Sequence, residues 1–299
     1  MTAKIIDGKE IAQQIRSELA VEISRLKIRG IVPGLGVILV GEDPASKSYV
    51  TAKEKACHEI GIFSNDNRLP ATTSQAELLA LIAKMNADPK INGILVQLPL
   101  PKHLNESEVL LAIDPDKDVD GFHPTNVGRM VVGEKAFWPC TPHGVLQMMA
   151  RSGVKIEGAH AVIVGRSNIV GKPLANMLMA KGKLGNATVT VCHTKTKDIG
   201  QYTRQADIVI AAAGRPNTVT ADMIRDGAVV IDVGVNRIED ATKKAGFRLV
   251  GDVDFEACKA KASMITPVPG GVGPMTITML LYNTVESAKR ANGLSLSKV

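Results

Sequence analysis

The stretch Ala161-Val-Ile-Val-Gly165-Arg166-Ser167-Asn168-Ile-Val-Gly171-Lys172-Pro173 decides the fold. Residues 161–164 are all apolar and predict a short buried strand. A glycine turn follows, and Pro173 then stands near the first positions of a helix, where its missing N–H is no loss. Strand, turn and helix start are the local architecture of a dinucleotide-binding βαβ unit, with Gly-x-Ser-x-x-x-Gly in place of Gly-x-Gly-x-x-Gly. The glycines let backbone N–H groups approach a pyrophosphate, and the helix N-terminus favours its charge. A glycine turn without a ligand is the competing reading. A P-loop is excluded, because five residues separate Gly165 from Gly171 and Pro173 occupies the place of a Mg-binding Ser/Thr. A hydrolase elbow is excluded by Ile169, where a second glycine is needed.

Similar strands lie on both sides of this unit. Residues 188–192, 207–212 and 228–233 repeat the apolar run at the spacing of a parallel α/β sheet. Upstream, residues 34–41 and 92–99 read as two further buried strands. Helical spacing marks residues 9–29, 46–60 and 74–85. The chain changes unit near Cys140-Thr141-Pro142, with Thr141 the expected N-cap and Pro142 at N1. A Pro/Gly loop, residues 265–276, leads into a final helix from about Pro274 to Ala291.

Composition narrows the function. The 299 residues allow about two domains. Aromatic residues make up 3%, too few for stacking platforms along single-stranded nucleic acid. The net charge of +6 has no run of five basic residues; it suits anionic small substrates rather than nucleic acid. The longest apolar runs are strand-length, short of a membrane span, and no secretory leader opens the chain. Cys57, Cys140, Cys192 and Cys258 form no metal-ligand pattern and suit a reducing cytoplasm.

Several side chains invite chemistry. Tyr49 and Lys53 share a helix face, which Ala52 and Ala56 mark as inward. The spacing leaves Lys53 open between a snorkelling lysine and one whose proton is used, with a pKa brought well below about 10.4. Gln97 ends a buried strand, where open α/β sheets place ligand contacts; an amide satisfied by local backbone is the alternative. Asp116-Lys-Asp118-Val-Asp120-Gly121 is no EF-hand, since its twelfth position is Val127. Asp120, beside Gly121, is the aspartate best placed to aim at a ligand. The strand at 188–192 ends in His193-Thr194-Lys195-Thr196, with no carboxylate for a ribose 2′-OH. Hydroxyls and cations there, with Arg166 in the first turn, suit a 2′-phosphate and favour NADP over NAD.

Six stretches, in this order, resemble the bifunctional methylenetetrahydrofolate dehydrogenase/methenyltetrahydrofolate cyclohydrolase family. They are Tyr49-Val-Thr-Ala-Lys53, Gly93-Ile-Leu-Val96-Gln97-Leu98-Pro-Leu-Pro101, Asp116-Lys-Asp-Val-Asp120-Gly-Phe122, Pro139-Cys-Thr-Pro142, Gly165–Pro173 and Ile265-Thr-Pro-Val-Pro269-Gly270-Gly271-Val-Gly273-Pro-Met-Thr276. The resemblance implies a two-domain α/β protein. Residues 1–140 and 274–299 would form the folate-binding catalytic domain, and residues 141–273 a Rossmann-like NADP domain, with folate in the cleft between. By position, Tyr49 would pack on the folate rings, Lys53 would be the key cyclohydrolase residue with Gln97 bonded to it, and Asp120 would hold the pterin. Val96, Leu98, Pro269, Gly270, Gly271 and Gly273 would complete the folate site. Gly165, Arg166, Ser167, Thr194 and Val235 would contact NADP. The resemblance further implies a homodimer, no metal, and a role in one-carbon metabolism that serves purine biosynthesis. On chemistry alone, a different dehydrogenase and a non-catalytic dinucleotide sensor remain the rivals.

Overall fold

Every strand expected from an apolar run is present in the computed structural model, which describes residues 2–243 and 246–294. The first half of the chain forms β1 (Lys4–Ile5), α1 (Gly8–Ile28), β2 (Gly34–Val40), α2 (Pro44–Ile60), β3 (Phe63–Leu69), α3 (Gln75–Ala87), β4 (Gly93–Val96), α4 (Glu106–Ala112), α5 (Pro124–Val132) and α6 (Cys140–Arg151). The second half forms β5 (His160–Val164), α7 (Gly171–Met179), β6 (Thr188–Cys192), α8 (Ile199–Thr203), β7 (Ile208–Ala211), β8 (Val229–Asp232), β9 (Asn236–Glu239), β10 (Phe247–Val250), α9 (Phe255–Lys259), β11 (Met264–Ile265) and α10 (Val272–Ala291).

The chain divides into two units. The first holds Gln13–Cys140 and the chain from Ile277 onward. Its parallel sheet has the order β3-β2-β4. The central strand β2 is buried at every residue, as an all-apolar run must be. Ile38, Leu78, Ile82, Met85, Ile94 and Val109 form its core, each contributing about 1.5–3 kcal/mol by burial. Asp43 caps α2 by accepting from the Ser46 N–H, and a Ser74/Glu77 capping box starts α3. On α10, the Ser287 hydroxyl donates to the Asn92 and Asp116 carbonyls at 2.6 and 2.8 Å.

The second unit holds the chain up to Ala12 and Thr141–Thr276. Its six-stranded sheet has the order β1-β11-β8-β7-β5-β6, parallel throughout. From β6 inward, the order is that of a doubly wound nucleotide-binding sheet, with the switch point beside β5. An antiparallel pair, β9–β10, follows β8.

Four expectations need correction. The first twelve residues, expected with the N-terminal domain, join the second unit because Lys4 and Ile5 pair with Met264 and Ile265. Helix α6 begins at Cys140, so Thr141 is no N-cap; its hydroxyl pairs instead with that of Thr276 at 2.9 Å. The final helix starts at Val272, which places Gly273 inside its first turn. On α2 the buried residues are Ser46, Val50, Lys53, Ala56, Cys57 and Ile60, so Lys53, Ala56 and Ile60 face inward as expected and Tyr49 and Ala52 do not. Tyr49 is 43% exposed, and Ala52 is exposed as well.

Candidate active site

In the first unit, Lys53 is held on the buried face of α2 with 7% of its surface exposed. Its Nζ donates to Gln97 Oε1 at 3.0 Å. Gln97 follows β4, and its Nε2 donates to the Leu98 carbonyl at 2.7 Å. That bond fixes the amide so that its oxygen faces the lysine. The local-backbone reading of Gln97 thus holds for its amide nitrogen, and the oxygen makes the bond to Lys53 that the resemblance implies. Burial pushes the Lys53 ammonium below the usual lysine range, and the nearby Asp120 carboxylate opposes that shift. Burial in turn raises the pKa of the half-buried Asp120, with Lys53 opposing. The lysine and the aspartate thus each feel the other's charge in weakly solvated surroundings.

The neighbouring acidic residue has another task. Asp118 is buried and accepts from the Phe122 and His123 N–H groups and from Asn126 Nδ2, at 3.2, 2.9 and 2.9 Å. It folds the loop that presents Asp120. Two further supports went unread in the sequence. Cys140 lies beside Asp120, and burial raises its thiol pKa well above the ordinary value. Asn283, on α10, donates to the Val119 and Trp138 carbonyls at 2.8 and 3.0 Å. An asparagine three and four residues after Leu280 and Met279 on the helix was the available signal. Asn283→Ala removes both amide bonds, leaving the Val119 carbonyl only the weak Cys140 thiol donor at 3.3 Å among the described residues, and should cost about 1–3 kcal/mol, read as a lower urea midpoint at unchanged slope.

Tyr49 stands one turn before Lys53 with its ring partly exposed, open to a planar ligand. Val96 is buried and Leu98 half-buried on either side of Gln97. The Pro269–Gly273 segment belongs to the second unit: Pro269 is exposed, Gly270 and Gly273 are half-buried, and Gly271 is buried.

The second unit carries the glycine turn. A Cβ on Gly165 would stand 2.1 Å from the Ala212 carbonyl oxygen, and one on Gly171 2.2 Å from the Gly165 carbonyl oxygen. The backbone is therefore bare and tightly folded at the C-terminal end of β5, as close approach to a pyrophosphate requires. Ser167 Oγ accepts from the Val170 N–H at 3.1 Å at the start of α7. Arg166, Ser167, Thr194 and Val235 are all exposed beyond the C-terminal ends of β5, β6 and β8. After β6, His193 Nδ1 accepts from the Lys195 N–H at 3.1 Å, so this loop is ordered with hydroxyl and cationic groups and no carboxylate at residues 193–196. These donors fit a phosphorylated dinucleotide. Among the described residues no cluster of three or more His, Cys, Asp or Glu could hold a metal, and no helix is long and apolar enough to cross a membrane.

Fold and residues together define a two-unit α/β oxidoreductase, one unit with a dinucleotide-binding sheet and the other with a buried lysine. Two family models match the chain in succession. Residues 6–120 match the tetrahydrofolate dehydrogenase/cyclohydrolase catalytic domain, and residues 139–292 match its NAD(P)-binding domain. The bifunctional protein FolD of Dehalococcoides mccartyi is 61% identical over 98% of this chain and 99% of its own. That of Moorella thermoacetica is 59% identical over 97% and 100%. Among solved structures, FolD from Campylobacter jejuni is 51% identical with a TM-score of 0.91, covering 96% of this chain and 99% of its own. The methylenetetrahydrofolate dehydrogenase-cyclohydrolase of Trypanosoma brucei, complexed with NADP and an inhibitor, is 40% identical with a TM-score of 0.93, covering 98% and 99%. The chain belongs to the tetrahydrofolate dehydrogenase/cyclohydrolase family.

Proposed function

We propose that this protein oxidises 5,10-methylenetetrahydrofolate to 5,10-methenyltetrahydrofolate with NADP, then hydrolyses the product to 10-formyltetrahydrofolate. The observation that carries the reading is the buried Lys53 bonded to Gln97 beside Asp120. Bound NADP supplies the hydride acceptor. Oxidation leaves a resonance-stabilised cation and needs no base, so the chain's part there is positioning. Asp120 holds the pterin and Tyr49 packs on the rings, with Val96 and Leu98 shaping the wall beside Gln97. In the hydrolysis, water adds to the methenyl carbon and gives up a proton to the Lys53 amine. The new hydroxyl then loses its proton as the formyl C=O forms and the ring C–N bond breaks, and the ring nitrogen takes up a proton. Gln97 keeps the amine aimed.

Gly165, Arg166 and Ser167 would cradle the pyrophosphate, Thr194 would face the 2′-phosphate, and Val235 would line the nicotinamide side. The catalytic role falls to residues 1–140 and 274–299, less the N-terminal segment that pairs with β11, and the NADP role to residues 141–273. Four buried free cysteines support a reducing cytoplasm as the place of action. The exposed edge of β6, with Val191, supports pairing with a second copy of the chain. Folate, dinucleotide and that copy are the proposed partners, nucleic acid is not, and purine biosynthesis is the proposed use of the formyl product.

Absorbance of the purified protein with methylenetetrahydrofolate tests the reading. Methenyl absorbance that rises and then decays with NADP, and is much weaker with NAD, is the expected result. Dinucleotide binding without turnover would favour a sensor, and turnover of an unrelated hydroxy or amino acid another dehydrogenase.

A further inference from the structure

Two buried carboxylates stand behind the dinucleotide side of the second unit, and the chemistry above leaves them unused. Asp252 precedes α9 and is fully buried. One of its oxygens accepts from the Ala213 and Gly214 N–H groups at 2.6 and 2.8 Å. The other accepts from the Arg215 N–H at 2.9 Å and from Asn236 Nδ2 at 2.8 Å. Three consecutive amides of the loop after β7 therefore converge on one side chain. Asp232, at the end of β8, repeats the device one step back. It accepts from the Gly234, Asp252 and Val253 N–H groups at 2.9, 2.9 and 3.0 Å.

Space is as tight as the bonding. A Cβ on Gly234 would lie 2.2 Å from Asp252 Oδ1, and one on Gly251 1.8 Å from Asp232 Oδ2. The loops after β7 and β8 are thus built around these carboxylates. Both loops leave the C-terminal edge of the sheet, and the first is continuous with Ala212, whose carbonyl abuts Gly165. In a doubly wound sheet the pyrophosphate sits at the turn after the first strand, here β5, and the adenosine ribose at the end of the second, here β6. The nicotinamide half then falls toward β7 and β8.

We infer that Asp252, braced by Asp232, is a positioning residue that pre-sets the loops at 213–215 and 234–236 for the nicotinamide half of the dinucleotide. The loop amides are bonded within the fold itself, so the ordering cost is met on folding and not on binding. The inference rests on the dinucleotide reading above.

Asp252→Asn keeps the shape but removes the charge and one acceptor. It should raise the KM for NADP by about tenfold or more, the scale of one or two lost charge-assisted bonds. The KM for methylenetetrahydrofolate and the cyclohydrolase rate should be unchanged. Asp252→Glu should not restore binding, because the cage at Gly234 has no room for a further methylene. A KM for NADP within about twofold of wild type, or a parallel loss of both activities, would overturn the proposal. Hydrogen exchange on the wild-type protein decides the matter if these variants do not fold. The Ala213, Gly214 and Arg215 amides should be protected before NADP is added; protection that appears only with NADP would overturn it. Failure of the wild type to bind NADP at all would instead remove the dinucleotide reading.

Discussion

Lys53→Met should lower the cyclohydrolase rate by roughly 10²–10⁴-fold, the usual worth of a placed proton acceptor. Dehydrogenase activity should survive in part, because hydride transfer asks for alignment and not for a base. Methionine fills the volume of the lysine stem and brings no charge into the buried face of α2. The direction with pH follows from the site. Burial favours the neutral amine, so the hydrolysis rate should climb as pH rises through a lysine pKa held below its ordinary value of 10.5. In Lys53→Met that rising limb should vanish, while dehydrogenase turnover keeps its own profile. Hydrolysis near the wild-type rate in this variant would remove Lys53 from the chemistry. Rates for both steps from one methylenetetrahydrofolate progress curve give the comparison directly.

The complementary loss comes from Gly165→Ala. Gly165 has φ of +140°, which an L side chain rarely adopts, and the added carbon would stand 2.1 Å from a backbone carbonyl oxygen that cannot swing aside. The turn must open or β5 and β7 must part. A shift of about 1 Å under a dinucleotide is enough for roughly a 100-fold loss in dehydrogenase kcat/KM. Hydrolysis of supplied methenyltetrahydrofolate should continue, since Lys53, Gln97 and Asp120 belong to the other unit. Isothermal titration with NADP should show the binding loss without any folate present. Lys53→Met and Gly165→Ala would then separate the two activities in opposite directions.

The fold was legible wherever burial on both faces forces a continuous apolar run. Strands β2, β4, β5, β7 and β8 are of this kind. The edge strand β3 reads Phe-Ser-Asn-Asp-Asn-Arg-Leu and is half-exposed, so its sequence resembles a loop although it pairs with β2 along its whole length. The two-residue strands β1 and β11 carry too little pattern to find. Their pairing is nevertheless what moves the N-terminus into the second unit. At the site, helical spacing was enough to turn Lys53 inward, but it misplaced Tyr49, because a shift of one residue on a helix turns a side chain through about 100°. Gly121 does mark a turn beside Asp120, with φ of +74°, while Asp118 is taken up by backbone N–H groups of its own loop. Asp232 and Asp252 left no trace, since their partners are backbone N–H groups from distant loops and backbone bonding has no residue signature.

The interlock of Asp232 with Gly251, and of Asp252 with Gly234, bears on how such a chain can diverge. Any side chain at either glycine collides with a carboxylate, and losing a carboxylate strands several amides in the interior. A lineage cannot exchange these four positions singly and keep a folded cofactor wall. They must be inherited as a block, while the surface around them is free to vary.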